Sequence, residues 1–452
     1  MKRSLSLTVS MILVLVLVLS ACGKSPGNDN VSATTEPTAA PQETAAPEVK
    51  EVSGEVTIWT WDKSVLEPVV PAFNAKFPNV KINIQVVPDN MGSALTTIAS
   101  GSGGPDIVAI EQGQVSRFNN ILGIEDLYQA PYNVMEFKDD FITPQLDRYT
   151  SLDGKRLIAM PLDAPPATMY YRADILEAEG FPTDPVELAE FMKDETNVLN
   201  MAQSLKAKGK LFLPAMGLYV PDLVAGSAGY FDHSLNYIRN NDQYVKELDF
   251  DKKVAQLGLI QTKSMWAEDG QQAIESGETP IIFSASWLMI PSIFPAMHPT
   301  QKGLWKVTAP PFGVYSVLGG AGLALLSQSK NKEAAWEFLK FATASTEGWK
   351  TMIPLPSIPG YKPAWTLPEI TDNVDPYTEQ KSNQLFVDLL AKIPYFPYGT
   401  PLDAKANGIF TAAFADAIKN NTDSKAALNQ IETDIMKAVA PDRDILLKSM
   451  GQ

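Results

Sequence analysis

Apolar and polar positions alternate with a period of two along residues 55–61, and this alternation predicts a β-strand. Along residues 65–77 the apolar positions recur every three or four residues, which predicts a helix with one buried face. Strand patterns return at 80–87 and 105–110, separated by a helical stretch at 94–100. The order β-α-β-α-β is typical of a parallel sheet covered by helices, so we predict an α/β fold.

The remaining apolar pattern predicts further helices and two more strands. Helices are expected at 172–180, 186–207, 253–266, 332–343, 409–418 and 426–439, and strands at 280–284 and 323–326. Roughly 400 residues are too many for one small core, which indicates two domains.

The N-terminal segment 1–21 has the pattern of a secretory signal. Lys2 and Arg3 precede an apolar run of about 15 residues, which is shorter than the roughly 20 that a spanning helix needs. Cys22, the only cysteine of the 452 residues, follows Leu-Ser-Ala. This ending resembles the lipobox of bacterial lipoproteins, which implies cleavage before Cys22 and lipid attachment to its sulfur. An ordinary signal peptide with an incidental cysteine is the alternative.

Residues 22–54 contain no aromatic side chain and are dominated by Ala, Thr, Pro, Glu, Ser and Gly. Such a segment buries too little apolar surface to fold. We expect a flexible tether between the lipid on Cys22 and the folded body.

Charge and composition exclude several classes of function. The formal net charge of −15 disfavours electrostatic attraction to nucleic acid. Two histidines and no second cysteine exclude zinc sites built from His and Cys. No nucleophile elbow and no phosphate-binding loop occur. The sequence thus offers no signature of a catalytic residue, a metal site or a cofactor, and we predict none. This agrees with our expectation that the protein is not an enzyme.

Several segments, in a fixed order, resemble one protein family. They are VTIWTWDK (56–63), FNAKFP (73–78), GGPDIV (103–108), IAMPLD (158–163), MYYRADIL (169–176), IIFSASW (281–287), GGAG (319–322) and AAWEFLKF (334–341). In these segments the chain resembles the family 1 extracellular solute-binding proteins of bacterial carbohydrate ABC importers.

The resemblance implies a two-lobe periplasmic-binding-protein-like α/β fold. Each lobe would hold a mainly parallel sheet flanked by helices, and crossing strands would form a hinge beside a ligand cleft. Lobe one is expected to hold 55–163 and 286–322, and lobe two 164–285 and 323–452. The implied function is to bind a sugar or oligosaccharide and deliver it unchanged to the transmembrane subunits of an ABC permease. We expect a monomer on the extracellular face of the cytoplasmic membrane.

Ligands of open parallel sheets bind beyond the carboxyl ends of the strands. Aromatic rings offer flat apolar faces to sugars, and carboxylates accept hydrogen bonds from hydroxyls. On these grounds and from the resemblance, the predicted ligand-binding residues are Trp61, Asp62, Glu111, Gln112, Asp163, Trp287, Gly319, Gly320 and Trp365. Weaker candidates in lobe two are Tyr219, Tyr230, Asp232 and Trp266.

Structural roles compete with several of these assignments. Asp62 could cap the following helix, Asp163 could be a turn residue, and the glycines could form a plain turn. Trp59 and Trp336 are expected in the core, and Lys63 as a solvated charge.

Two alternative functions remain open at this point. One is a lipid-anchored carbohydrate-active enzyme of the glycosidase type, which needs a pair of carboxylates about 5 to 9.5 Å apart. The other is the same fold with a polyamine or peptide as ligand.

Overall fold

A computed structural model describes residues 51–211, 213–214, 229–352, 358–393 and 398–451. The predicted signal segment 1–21, Cys22 and the tether up to residue 50 lie outside the described residues. Everything that follows concerns the unit formed by residues 51–452. Its first strand begins at Gly54, so the last predicted tether residue already belongs to the sheet.

The described strands form three sheets. They are β1 (Gly54–Thr60), β2 (Val80–Val86), β3 (Ile107–Glu111), β4 (Met160–Pro161), β5 (Ala167–Arg172), β6 (Leu213–Pro214), β7 (Ile260–Gln261), β8 (Ile281–Ala285), β9 (Trp305–Thr308) and β10 (Ala321–Leu325).

Helices cover the sheets and fill the second half of the chain. They are Val70–Lys76, Asn90–Ser100, Thr143–Arg148, Ala173–Ala178, Pro185–Phe191, Glu195–Ala207, Asp242–Gln256, Glu268–Glu275, Phe294–Met297, Lys332–Thr343, Thr346–Met352, Pro368–Thr371, Ser382–Leu390, Asp403–Lys419 and Ser424–Ser449. Among the described helices, none combines the length and apolar content of a membrane span.

The first sheet has the strand order β2-β1-β3-β10-β4. β1 pairs in parallel with β2 and β3, as the β-α-β-α-β pattern predicts, whereas β10 is antiparallel to β3 and β4. The core under this sheet includes Phe73, whose ring lies 5.1 Å from that of Phe338 in an edge-to-face contact.

The second sheet has the order β8-β5-β9, and both of its pairings are antiparallel. The expectation of a mainly parallel sheet is therefore wrong for this lobe. β5 leads away from the first sheet, while β8 and β9 both lead back towards it. Alternate residues of β5 face different cores: Met169 and Tyr171 face one cluster, and Tyr170 faces the other.

The expected lobe boundaries need two corrections. β9 lies in the second sheet, although 286–322 was assigned to lobe one. β10 and the helix Lys332–Thr343 pack with the first sheet, although 323–452 was assigned to lobe two. The apolar face of that helix buries Phe338 and Leu339 in the first core, and this burial decides its lobe.

Two predicted helices also end differently. The helix expected at 253–266 begins earlier and stops at Gln256, because Gly258 has a φ of +64° and the Leu259 amide donates back to Val254. The helix expected at 186–207 is two helices, since the Asp194 carboxylate accepts from the amides of Thr196 and Asn197 and starts the second one.

Two chain segments, 162–167 and 316–321, connect the sheets side by side. The Leu162 amide donates to Ala321 (2.8 Å), the Leu318 amide to Pro165 (3.0 Å) and the Ala167 amide to Ser316 (2.8 Å). We call this antiparallel pair the crossing segments.

We expect Asp106→Ala to lower the free energy of unfolding by about 2 kcal/mol, because a charged acceptor is lost from a buried position. The Asp106 carboxylate accepts from the Thr57 amide at 2.8 Å and from the Ser329 hydroxyl at 2.5 Å, and so ties β1 to the segment after β10. Urea unfolding followed by circular dichroism measures the change. Asp444→Ala, at an exposed position of the last long helix, is the control and should change stability little. Equal stability of the two variants would contradict this role of Asp106.

Candidate ligand-binding site

A cavity of about 430 Å³ opens at the carboxyl ends of β1 and β3, beside the crossing segments. Its wall is formed by Thr60, Trp61, Asp62, Val65, Leu66, Ala109, Glu111, Leu162, Asp163, Trp287, Ile290, Ile293, Leu318, Gly319, Gly320 and Ala321. Seven of the nine predicted ligand-binding residues are among them. A mostly apolar wall with a few convergent polar groups is the usual form of a small-molecule site.

Trp287 lies in the turn Ser286–Met289 that follows β8. Its indole nitrogen donates to the Leu318 carbonyl at 2.9 Å, so the ring is fixed to a crossing segment. Gly319 makes this possible, because its φ is +82° and a Cβ there would lie 3.1 Å from the indole nitrogen. The glycine is therefore required by the position of the tryptophan.

Trp61 and Asp62 follow β1 directly. Trp61 is 40% exposed and presents its ring at the cavity wall. The Asp62 carboxylate accepts from both the amide and the hydroxyl of Ser64, each at 2.9 Å. Since the next regular helix begins only at Val70, Asp62 closes a local turn and does not cap that helix.

Asp163 stands where the chain leaves β4 for the first crossing segment. Its Oδ1 accepts from the Ala321 amide at 2.7 Å, and its carbonyl accepts from Gln145 Nε2 at 2.8 Å. Gly320, with a φ of +107°, lies against it: a Cβ there would come within 3.0 Å of the Asp163 carbonyl. The carboxylate is thus held at the cavity wall by backbone contacts.

Glu111 ends β3, and its carboxylate accepts from the Gly113 amide at 3.0 Å. Burial raises the pKa of Glu111, while the Gly113 hydrogen bond and the charge of Arg148 act in the opposite direction. The carboxyl is therefore protonated at a higher pH than an ordinary glutamate.

Arg148 is a charged residue of this region that was not predicted from the sequence. It ends the short helix Thr143–Arg148 and is only 3% exposed. Burial lowers the pKa of Arg148 to about 10, against the opposing effects of Tyr149, Glu111 and Asp163. The guanidinium keeps its charge at neutral pH and balances two carboxylates of the cavity wall.

Two predicted residues do not line the cavity. The backbone N–H of Gln112 donates to the Gly320 carbonyl at 2.9 Å, so Gln112 is attached to a wall residue through its main chain. The Trp365 indole donates to the Pro359 carbonyl at 2.8 Å, and its ring packs against the first core.

The weaker candidates are dispersed. Tyr219 lies outside the described residues. Tyr230 is buried in the cluster of the last helices, and its hydroxyl donates to Asn407 at 2.7 Å. Asp232 closes a turn with Ser234 and Asn236. Trp266 is exposed beside Trp287.

The residues expected outside the site lie largely as predicted. Lys63 is an exposed charge paired with Glu67 at 2.8 Å. Trp336 is buried against Tyr132, and Trp59 is half-buried with its indole donating to Gln85. Across the described ranges, no group of three or more His, Cys, Asp or Glu side chains is arranged to hold a metal.

Known proteins resemble this chain in sequence and in fold. The arabinooligosaccharide-binding protein of Bacillus subtilis (strain 168) is 26% identical over 361 residues, which are 73% of this chain and 78% of the relative. The lactose-binding protein of Rhizobium radiobacter is 27% identical over 308 residues, which are 64% of this chain and 70% of the relative.

A solved structure is similar along most of the chain. It is the ABC transporter associated binding protein from B. animalis subsp. lactis Bl-04 in complex with beta-1,6-galactobiose, with a TM-score of 0.65 at 21% identity, covering 86% of this chain and 98% of that chain. This likeness confirms the two-lobe α/β fold that the sequence led us to expect.

The family assignment rests on a match to a family model. The model of the bacterial extracellular solute-binding proteins matches residues 60–349, which are well over half of the chain and include every residue of the cavity wall. The chain therefore belongs to the family of bacterial extracellular solute-binding proteins.

Proposed function

We propose that this protein binds a sugar or oligosaccharide in the cavity and delivers it, chemically unchanged, to the transmembrane subunits of an ABC permease. The observation that carries the proposal is the composition of the wall. Two tryptophan rings and three carboxylates surround an otherwise apolar surface. Ring faces suit the C–H surfaces of a sugar, and carboxylates suit its hydroxyls.

The similar proteins support a carbohydrate as the class of ligand. Their names specify arabinooligosaccharide, lactose and beta-1,6-galactobiose, which are three different sugars. At 27% identity or less, the proposal extends to the class and not to one of these sugars. The family and these relatives are binding proteins, which supports binding without conversion.

The wall brings together groups from both sheets, and this supports closure on the ligand. Trp61 follows β1 of the first sheet, and Trp287 follows β8 of the second. A ligand that contacts both favours a closed arrangement of the lobes, and the crossing segments are where a hinge would bend. The permease would then recognise the closed protein.

The proposed location is the extracellular face of the cytoplasmic membrane. The family is extracellular. Lipid on Cys22 and a tether that ends before Gly54 would hold a monomeric body near the permease. No nucleic acid partner is proposed for a body of this negative charge.

We expect Trp287→Ala to weaken sugar binding by at least about tenfold, because a rigid aromatic face is lost from the wall. Calorimetry of the body from residue 51 on, against arabino-oligosaccharides, lactose and galactobiose, measures the affinity. Spermidine in the same panel tests the polyamine alternative, and chromatography of the recovered sugars tests for hydrolysis.

Two variants serve as controls for this experiment. Trp287→Phe keeps an aromatic face and should lose less sugar affinity than Trp287→Ala. Trp59→Phe changes a tryptophan outside the cavity and should bind sugar with the affinity of the wild type. Sugar affinity that is unchanged in a cooperatively folded Trp287→Ala protein would exclude this residue from the site.

We expect sugar affinity to fall as the pH is lowered from about 7.5 towards about 4.5. Burial raises the pKa of Glu111, so this carboxylate becomes protonated early and loses acceptor capacity for hydroxyls. Calorimetry across this pH range measures the slope. Glu111→Gln, which carries no titrating group, should bind more weakly at neutral pH and show a flatter profile. An equally steep profile in Glu111→Gln would assign the pH dependence to another group.

We expect Cys22→Ser to abolish lipid attachment in a bacterial host. The wild-type chain should incorporate labelled palmitate and sediment with membranes, and the variant should do neither. Sugar affinity of the secreted variant should equal that of the wild type, because the cavity lies in the unit 51–452. Palmitate label on the variant would show that another residue carries the lipid.

A further inference from the structure

Trp266 is an aromatic side chain in an unusual position. It exposes 57% of its surface, although its backbone is held in an ordered turn before the helix Glu268–Glu275. In that turn the Trp266 amide donates to the Ser264 hydroxyl at 3.3 Å, and the Ala267 amide donates to the Ser264 carbonyl at 3.0 Å. The turn thus fixes a large apolar ring towards water, where it contributes little to folding.

The ring of Trp266 stacks on that of Trp287. Their centroids are 6.3 Å apart and their planes are 19° from parallel. At this separation the rings are nearly parallel neighbours and not a close face-to-face pair. Trp287 lines the cavity and is fixed by Leu318, whereas Trp266 is outside the cavity wall.

The two rings together place aromatic surface both at the cavity wall and next to it on the outside. Trp61 presents a third indole at the cavity wall. A single sugar ring would need only the rings that line the cavity. A surface that continues beyond the cavity suits a ligand that also continues beyond it.

We propose that Trp266 forms an outer subsite, and that the ligand class is an oligosaccharide whose terminal rings fill the cavity while the following rings lie on Trp266. This inference rests on the proposed sugar-binding function and adds to it a requirement for chain length. Apolar contact with an aromatic face needs no particular pattern of hydroxyls. Binding at the outer subsite therefore depends more on the number of rings in the ligand than on which sugar they are.

A purely supporting role for Trp266 makes a different prediction. If Trp266 only braced the ring of Trp287, its removal would weaken ligands of every length by the same factor. If it contacts the ligand directly, its removal weakens only those ligands that are long enough to reach it. The dependence of affinity on ring number therefore separates the two roles.

The test is calorimetry with a ladder of arabino-oligosaccharides and a ladder of galacto-oligosaccharides, each from one to six rings. Wild type, Trp266→Ala and Trp266→Phe are compared. Wild-type affinity should rise with ring number in at least one ladder. Trp266→Ala should leave one- and two-ring ligands unchanged and weaken ligands of four or more rings by about three- to tenfold. Trp266→Phe should restore most of this loss.

Ile445→Ala provides a matched control, because it removes an exposed apolar side chain from the distant end of the sequence. Its affinity should equal that of the wild type for ligands of every ring number. Since Trp266 is exposed, its variants should also keep the wild-type thermal transition, which circular dichroism verifies.

Three outcomes would overturn the inference. An equal loss of affinity for short and long sugars in Trp266→Ala would show that Trp266 only supports the ring of Trp287. Wild-type affinity that is independent of length, or long-chain affinity unchanged in Trp266→Ala, would remove the outer subsite while leaving sugar binding intact. Absence of wild-type binding to every sugar in both ladders and in the panel above would instead overturn the proposed function, and the subsite with it.

Discussion

The backbone hydrogen bonds between the crossing segments are the constraint on which the site depends. They hold 162–167 against 316–321 and so determine where Asp163, Gly319 and Gly320 stand. The indole of Trp287 is attached to the same pair through Leu318. The contacts that join the two sheets therefore also position Trp287. A change in the geometry of the crossing segments would move this part of the cavity wall with it.

Electrostatic balance is the second requirement. Glu111 and Asp163 bring negative charge to the wall of an apolar cavity, where unpaired carboxylates are unfavourable. The buried guanidinium of Arg148 offsets part of that charge. It lies at the end of a helix whose Gln145 side chain also donates to the Asp163 carbonyl. One short helix therefore supports both the charge and the geometry of the acidic side of the site.

Local patterns predicted much of the fold and part of the site. The β-α-β-α-β start and the helix Lys332–Thr343 follow from periodicities that need no tertiary information. The lobe of that helix was predicted wrongly, because it depends on which sheet buries Phe338. The antiparallel second sheet was also missed, since the direction in which β9 returns to the first lobe has no signature in its four residues.

At the site, residues at strand ends could be found because the geometry of parallel sheets places them at one edge. Seven of the nine predicted residues line the cavity, while their role in binding remains a prediction. Arg148 could not be found in this way. In the sequence, Asp147-Arg148 has the pattern of an exposed pair of charges on a short helix, and the burial of Arg148 follows only from the tertiary fold.

The hydrogen bond of Trp287 has a stereochemical consequence. Because its only polar atom is engaged with Leu318, this indole offers a bound ligand a ring face and no donor. If a sugar lies on this ring as proposed, the indole contributes an apolar face and no side-chain hydrogen bond. Hydrogen bonds that distinguish the hydroxyls of one sugar from those of another would then come from other groups of the wall, among them the carboxylates of Asp62, Glu111 and Asp163.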